Sequence, residues 1–112
     1  MKKIREVVAY GNSFEIFIKS LEEKTQNKVF KIIEIIETIE KIPKQYLKKI
    51  GEKDGIYEIR VQLGTNIWRV FCFFESNRLV ILLNGFCKKS QKTPRQEIIK
   101  AKQLMKEYYE NR

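Results

Sequence analysis

The stretch 56-IYEIRVQLGTNIWRVFCFFESNRLVILLNGF-86 decides the fold of this chain. It contains three runs rich in β-branched and aromatic residues, and three residues separate each run from the next. Connections of this length join antiparallel neighbours in a sheet. The sequence therefore predicts an antiparallel meander with strands over residues 56–63, 67–75 and 79–86.

Arginines lie on the first two of these strands at positions that bring them together. Arg60 and Arg69 flank the turn at residues 64–66, so the pairing places them opposite each other or nearly so. Two guanidiniums on adjacent strands repel each other unless an anion lies between or beside them. Glu58 or Glu75 is one candidate for that anion, and a bound phosphodiester is another, because the guanidinium fork matches phosphate geometry. Solvated positions for both arginines are the alternative.

The rest of the chain predicts one further strand and three helices. The strand is expected at residues 4–10, a first helix follows the capping residue Asn12, and a second helix is expected over residues 25–41. Residues 43–55 are expected to form a lysine-bearing loop, and residues 94–112 a last helix. The predicted fold class is α+β, a single domain over residues 1–112 in the order β-α-α-β-β-β-α. Its sheet is small and mostly antiparallel, and the N-terminal helical hairpin and the C-terminal helix are expected on one face.

A cluster of lysines follows the last strand, in 85-GFCKKSQKTPRQE-97. Lys88, Lys89 and Lys92 precede Thr93 and Pro94, which are expected to cap and open the last helix. A solvated turn and a phosphate-binding site both agree with this pattern.

Composition favours a polyanionic partner. The net charge is +9, and residues 41–112 hold sixteen basic and seven acidic residues, whereas residues 1–40 are neutral. One-sided basic charge favours nucleic acid over a protein that is basic only for solubility. The chain has no histidine, which excludes serine–histidine and cysteine–histidine nucleophile pairs. Cys72 and Cys87 lack metal-ligand spacing and are expected to be buried free thiols, so no metal or other cofactor is predicted.

The runs 55-GIYEIRV-61, 68-WRVFCFF-74 and 80-VILLNGFCKKSQKTPRQEI-98 resemble the RelE superfamily of bacterial toxins, in particular its HigB-like branch of phage-derived proteins. The resemblance implies a ribosome-dependent mRNA endonuclease of a type II toxin–antitoxin pair. Such enzymes cut mRNA in the ribosomal A site through metal-independent attack of the 2′-hydroxyl on the adjacent phosphate. The implied partner is a HigA-like helix-turn-helix antitoxin, through which alone the toxin would meet operator DNA. With no signal peptide and no membrane-spanning run apparent, a cytoplasmic location is expected.

The resemblance also implies roles for individual residues. Arg69 matches the arginine that stabilises the phosphorane, and Arg60 stands where the RelE branch has a lysine that acts as general base. Lys89 falls near an arginine assigned to the leaving 5′-oxygen, with Lys88 beside it. Arginine is a poor base, so Arg60 is expected to hold phosphate or to raise the acidity of the 2′-hydroxyl. Glu58 is then a proton acceptor or an ion-pair partner of Arg60. Basic residues expected to contact the RNA backbone are Lys48, Lys49, Lys92 and Arg95.

Two other functions agree with this fold or with this basic charge. One is a ParE-like toxin that poisons DNA gyrase and has no nuclease activity. The other is a catalytically inactive RNA-binding module or operon co-regulator. The convergent cations favour the nuclease, because a gyrase binder does not require them.

Overall fold

A computed structural model describes residues 2–90 and 92–111. The elements, in chain order, are β1 Glu6–Ala9, α1 Ser13–Lys19, α2 Glu23–Thr38, β2 Leu47–Ile50, β3 Ile56–Leu63, β4 Asn66–Ser76, β5 Leu79–Cys87 and α3 Arg95–Glu110. The meander predicted from residues 56–86 is present, and β3, β4 and β5 begin and end within one residue of their predicted bounds.

The five strands form one mixed sheet in the order β1-β5-β4-β3-β2. Strand β1 runs parallel to β5, and the other pairs are antiparallel. The prediction of a loop over residues 43–55 is wrong for β2, which pairs with β3. Its four residues show no apolar alternation, because Leu47 and Ile50 pack on opposite faces of the sheet and Lys48 and Lys49 stand between them.

The helices cover both faces of the sheet, so the prediction that all of them lie on one face is wrong. Helices α1 and α2 pack on the side that carries Val70 and Cys72, and α3 packs on the side that carries Phe71 and Phe73. The physical reason is that β4 and β5 are apolar on both faces along most of their length. A strand of that kind is buried only when both of its faces are covered.

The helix ends differ from the sequence prediction. Helix α2 ends at Thr38, because Ile39 is already extended at φ −99° and ψ 125°. Helix α3 begins at Arg95 with Pro94, rather than Thr93, at its N-cap and without a side-chain cap. Pro94 is extended, at φ −58° and ψ 126°, so it lies outside the helix, and its carbonyl accepts from the amides of Glu97 and Ile98.

Arg5 joins the start of the chain to the end of α2. Its guanidinium donates to the carbonyl oxygens of Ile36, Ile39 and Glu40 at 2.6–2.9 Å. It also lies 5.9 Å from the ring centre of Phe74. The bond to Ile36 satisfies a carbonyl of the last helical turn, the other two hold the residues that follow α2, and the cation complements the helix dipole.

The cysteines are both free, as expected, but only one is buried. Burial raises the pKa of the Cys72 thiol. Cys87 is exposed because it is the last residue of β5, where the sheet ends. No helix in residues 2–90 and 92–111 is long and apolar enough to cross a membrane.

A bulge in β5 sets how this strand leaves the sheet. Val70 pairs with Gly85 and Cys72 with Leu82, so β5 holds one residue more than β4 in this interval. Asn84, at the bulge, donates from Nδ2 to the backbone oxygen and Oε1 of Glu97 in α3 at 3.0 and 2.9 Å. The next residue, Gly85, lies under Phe17 of α1, where an added Cβ would stand 2.5 Å from the ring. The end of β5 is therefore fixed from both faces.

We predict that Gly85→Ala lowers the free energy of unfolding by about 1–3 kcal/mol, because the new methyl group forces Phe17 out of its place. Urea denaturation measures the change. At an open strand position the same substitution would stabilise the protein slightly, so the sign of the change in free energy of unfolding shows whether the methyl group meets Phe17. The double variant with Phe17→Leu should lose less than the sum of the two single losses; strict additivity would contradict the proposed contact.

Candidate functional site

Arg60 and Arg69 are direct partners in the β3–β4 pairing. Residues directly opposite in an antiparallel pair project to the same face, so the two guanidiniums share one side of the sheet. It is the side on which α3 packs, because Phe71, two residues along β4, belongs to the core under α3. The sequence prediction that the arginines lie opposite each other or nearly so is confirmed.

One carboxylate lies between the two arginines. Oε2 of Glu58 is 3.5 Å from Nε of Arg60, and Oε1 is 3.6 Å from Nε of Arg69. Glu58 and Arg69 are 6% and 5% exposed, so this ion pair is largely screened from water. The expected pairing of Glu58 with Arg60 is present, and it extends to Arg69. Glu75, the other candidate, instead accepts a hydrogen bond from Tyr108 at 3.0 Å.

Burial and two neighbouring charges act on the guanidinium of Arg69. Burial lowers its pKa, the charge of Glu58 raises it, and the charge of Arg60 lowers it. Nη1 donates to the carbonyl oxygen of Trp68 at 3.1 Å, whereas Nε makes no hydrogen bond to any described residue. An arginine remains protonated in proteins even so. Arg69 is thus a fixed, partly desolvated cation with hydrogen-bonding capacity left over.

A concavity of about 490 Å³ opens beside the arginines. The side chains that line it are Arg60, Thr65, Ile67, Arg69, Lys88, Lys89 and Ser90. The backbone amide of Lys88 donates to the carbonyl of Ile67 at 2.8 Å, which continues the β4–β5 pairing one residue beyond β5. We call this concavity the cation site. It gathers the four basic residues that the sequence predicts to be catalytic, and Glu58 lies beside the two arginines among them.

The other basic residues predicted to contact RNA lie outside the cation site. Lys48 pairs with Glu58 and so stands on the same face, whereas Lys49 pairs with Tyr57 and stands on the opposite face. Lys92 and Arg95 are exposed in the connection to α3 and at its first residue. The pairing therefore places Lys48 on the face that carries the arginines and Lys49 on the other face.

A second concavity adjoins the first, and sequence analysis missed it. It has a volume of about 400 Å³ and shares Arg60 and Arg69 with the cation site. Lys28 comes from α2, Gln45 and Tyr46 precede β2, and Gln62 lies on β3. No local pattern connects these residues, because three separate parts of the chain supply them.

The sequence model of a family described as phage-derived protein Gp49-like (DUF891) matches residues 16–106. That span begins within α1 and ends within α3, so it includes the strands and the loop that form the cation site. No curated protein matches the chain.

We predict that Glu58→Gln lowers the free energy of unfolding by about 2 kcal/mol, because it leaves two opposed guanidiniums without their carboxylate. Inorganic phosphate should then raise the melting temperature of the variant more than that of the wild type, since an added anion takes the place of the carboxylate. Thermal melts with and without phosphate measure both effects.

The matched control is Glu15→Gln, which removes a carboxylate from an exposed pair with Lys19 and should leave the melting temperature nearly unchanged. Equal stabilisation of wild type and Glu58→Gln by phosphate would contradict an anion site at the two arginines.

Proposed function

Because the chain belongs to the Gp49-like family of phage-derived proteins, a RelE/toxin-like family, we propose that it is the toxin of a type II toxin–antitoxin pair. Its activity is that of an mRNA endonuclease that depends on the ribosome and needs no metal. The observation that supports this best is the convergence of Arg60, Arg69, Lys88 and Lys89 on one concavity. A protein that acts only by binding another protein does not require four cations around one cavity.

The substrate in this proposal is the phosphodiester of a single-stranded RNA. The forked guanidiniums of Arg60 and Arg69 offer paired N–H donors that match two phosphate oxygens. Arg69 is held in place by Glu58 and by the carbonyl of Trp68, so it needs little rearrangement when the phosphate arrives. Fixed donors in a poorly hydrated site interact with charge more strongly than donors in water.

The reaction is a transesterification within the RNA. The 2′-oxygen bonds to phosphorus, the bond from phosphorus to the 5′-oxygen breaks, and the products carry a cyclic 2′,3′-phosphate and a 5′-hydroxyl. Negative charge builds on the phosphorane, where Arg69 and Arg60 face it, and then on the leaving 5′-oxygen. Lys88 and Lys89 stabilise that oxygen and supply a proton to it. Groups placed in this way contribute on the order of 10²–10³ in rate each.

Glu58 serves as a positioning residue in this scheme. Each of its oxygens already faces a guanidinium, at 3.5 and 3.6 Å, and the side chain is buried. We therefore assign it the role of holding the two arginines at a fixed spacing. Water accepts the proton of the 2′-hydroxyl. Arg60 raises the acidity of that hydroxyl through its charge.

The partners follow from the proposed activity. The toxin acts on mRNA in the ribosomal A site, in the cytoplasm, where translation takes place. A HigA-like helix-turn-helix antitoxin neutralises it, and operator DNA is bound through that antitoxin.

We predict that purified protein added to an in vitro translation reaction produces new mRNA 5′ ends at A-site codons, detected by primer extension. Arg69→Ala should lower this cleavage by about 10²-fold or more, because it removes a group that faces the phosphorane. Arg69 is buried, so the double variant Lys88→Ala/Lys89→Ala, at one half-buried and one exposed residue, is tested beside it and should also lose cleavage without loss of folding.

The control is Arg78→Ala, which removes an exposed arginine from the turn between β4 and β5 and should cleave like the wild type. Intact mRNA together with inhibited gyrase supercoiling would contradict the proposal in favour of a gyrase poison. RNA binding without cleavage would contradict it in favour of an inactive binding module.

A further inference from the structure

The second concavity lies against the cation site and differs from it chemically. Besides Arg60 and Arg69, its polar lining consists of Lys28, Gln45, Tyr46 and Gln62, with Ile32 and Val61 as apolar lining. The cation site adds two lysines and two hydroxyl side chains to the arginines, whereas this neighbour adds one lysine, two amides and a phenol. A cavity built only for phosphate has no need of two amide groups and a phenol.

Amide side chains are suited to nucleobases. A glutamine presents one acceptor oxygen and two N–H donors side by side, which is the pattern found on base edges. Gln45 is exposed, and Gln62 is exposed with a single long bond of 3.3 Å from Nε2 to the carbonyl of Gly64. Both amides therefore keep hydrogen-bonding capacity for a ligand.

The backbone fixes Tyr46 next to the arginine pair. Its carbonyl accepts from the amide of Arg60 at 2.8 Å, and its own amide donates to the carbonyl of Pro43 at 2.9 Å. Its ring packs partly against the core under α2, so the exposed part is held rather than mobile. Unstacked bases of single-stranded RNA bind to aromatic rings held in this way.

The shared arginines determine what spans the two cavities. A ligand whose phosphate lies on Arg60 and Arg69 fills the cation site on one side and extends into the second concavity on the other. The part of an RNA strand next to a phosphate is a ribose with its base. Lys28, at the α2 side of the concavity, is available to the next phosphate along the strand.

We propose that the second concavity is a nucleobase subsite. It binds the base adjacent to the phosphate on the arginine pair, and Gln45 and Gln62 determine which base is preferred there. The proposal rests on the proposed function in taking single-stranded RNA as the ligand.

The test is the base preference around the cleavage site, mapped over many mRNAs in the translation reaction. The wild type should favour one base over the least favoured base by about tenfold at one position next to the cut. In the Gln45→Ala/Gln62→Ala double variant this ratio should fall to about twofold or less. Both residues are exposed, so the variant should fold normally. Gln103→Ala, which changes an exposed glutamine on α3, is the control and should keep the wild-type ratio.

Two outcomes of the cleavage map would overturn the subsite and leave the proposed function standing. One is a wild type that cuts without base preference. The other is a double variant whose cleavage falls equally at all bases while the ratio remains.

A second measurement separates the subsite from the proposed function. Fluorescence anisotropy gives the affinity of the free protein for four single-stranded hexanucleotides of RNA that differ only in one base. If the chain cuts no mRNA, the proposed function fails, and the subsite is still supported by a severalfold preference that the double variant loses. Equal affinity for all four RNAs, or no binding to any, would overturn it.

Discussion

Two guanidiniums that face each other across a strand pair set the electrostatic condition for the whole site. At an effective dielectric constant of about 20, unit charges about 6 Å apart repel by roughly 3 kcal/mol. Glu58 lies within 3.6 Å of both arginines, and attraction at that distance exceeds this repulsion before desolvation is counted. One carboxylate against two guanidiniums still leaves a net positive charge, partly removed from water. An anion that enters from the open side therefore stabilises the two guanidiniums further.

The rest of the fold determines where that open side is. Helix α3 packs against Phe71 and Phe73, so the α3 face of β4 is covered there, and the cation site opens nearer the β3–β4 turn. The bulge at Asn84 ties β5 to the start of α3 through Glu97. Gly85 then allows Phe17 to pack closely from the other face. Because these contacts fix the point at which β5 leaves the sheet, the following lysines line the same concavity as the arginines. The pairing of β5 with β4 therefore fixes both the packing of β5 and the position of the lysines that follow it.

Much of this arrangement follows from local sequence patterns. Alternation and short turns predict β3, β4 and β5, and they predict that Arg60 and Arg69 lie opposite each other or nearly so. Strand β2 was missed because four residues with two central lysines carry no periodic signal; only pairing with β3 makes them a strand. The side on which α3 packs was mistaken because strands that are apolar on both faces do not indicate which helix covers which face. The second concavity combines Lys28, Gln45 and Gln62 from separate elements, and proximity of that kind arises only from the tertiary fold.

The central claim is that the arginine pair and the lysines bind one RNA phosphate together. Side-chain NMR tests it most directly, by following the arginine Nε–Hε signals and the lysine side-chain signals during titration with a short 2′-O-methyl RNA, which lacks the attacking hydroxyl. The account predicts that the signals of Arg60 and Arg69 shift with a single Kd, that Lys88 and Lys89 shift with them, and that Arg78 is unaffected. Shifts confined to scattered surface lysines, with Arg69 unchanged at saturation, would contradict it.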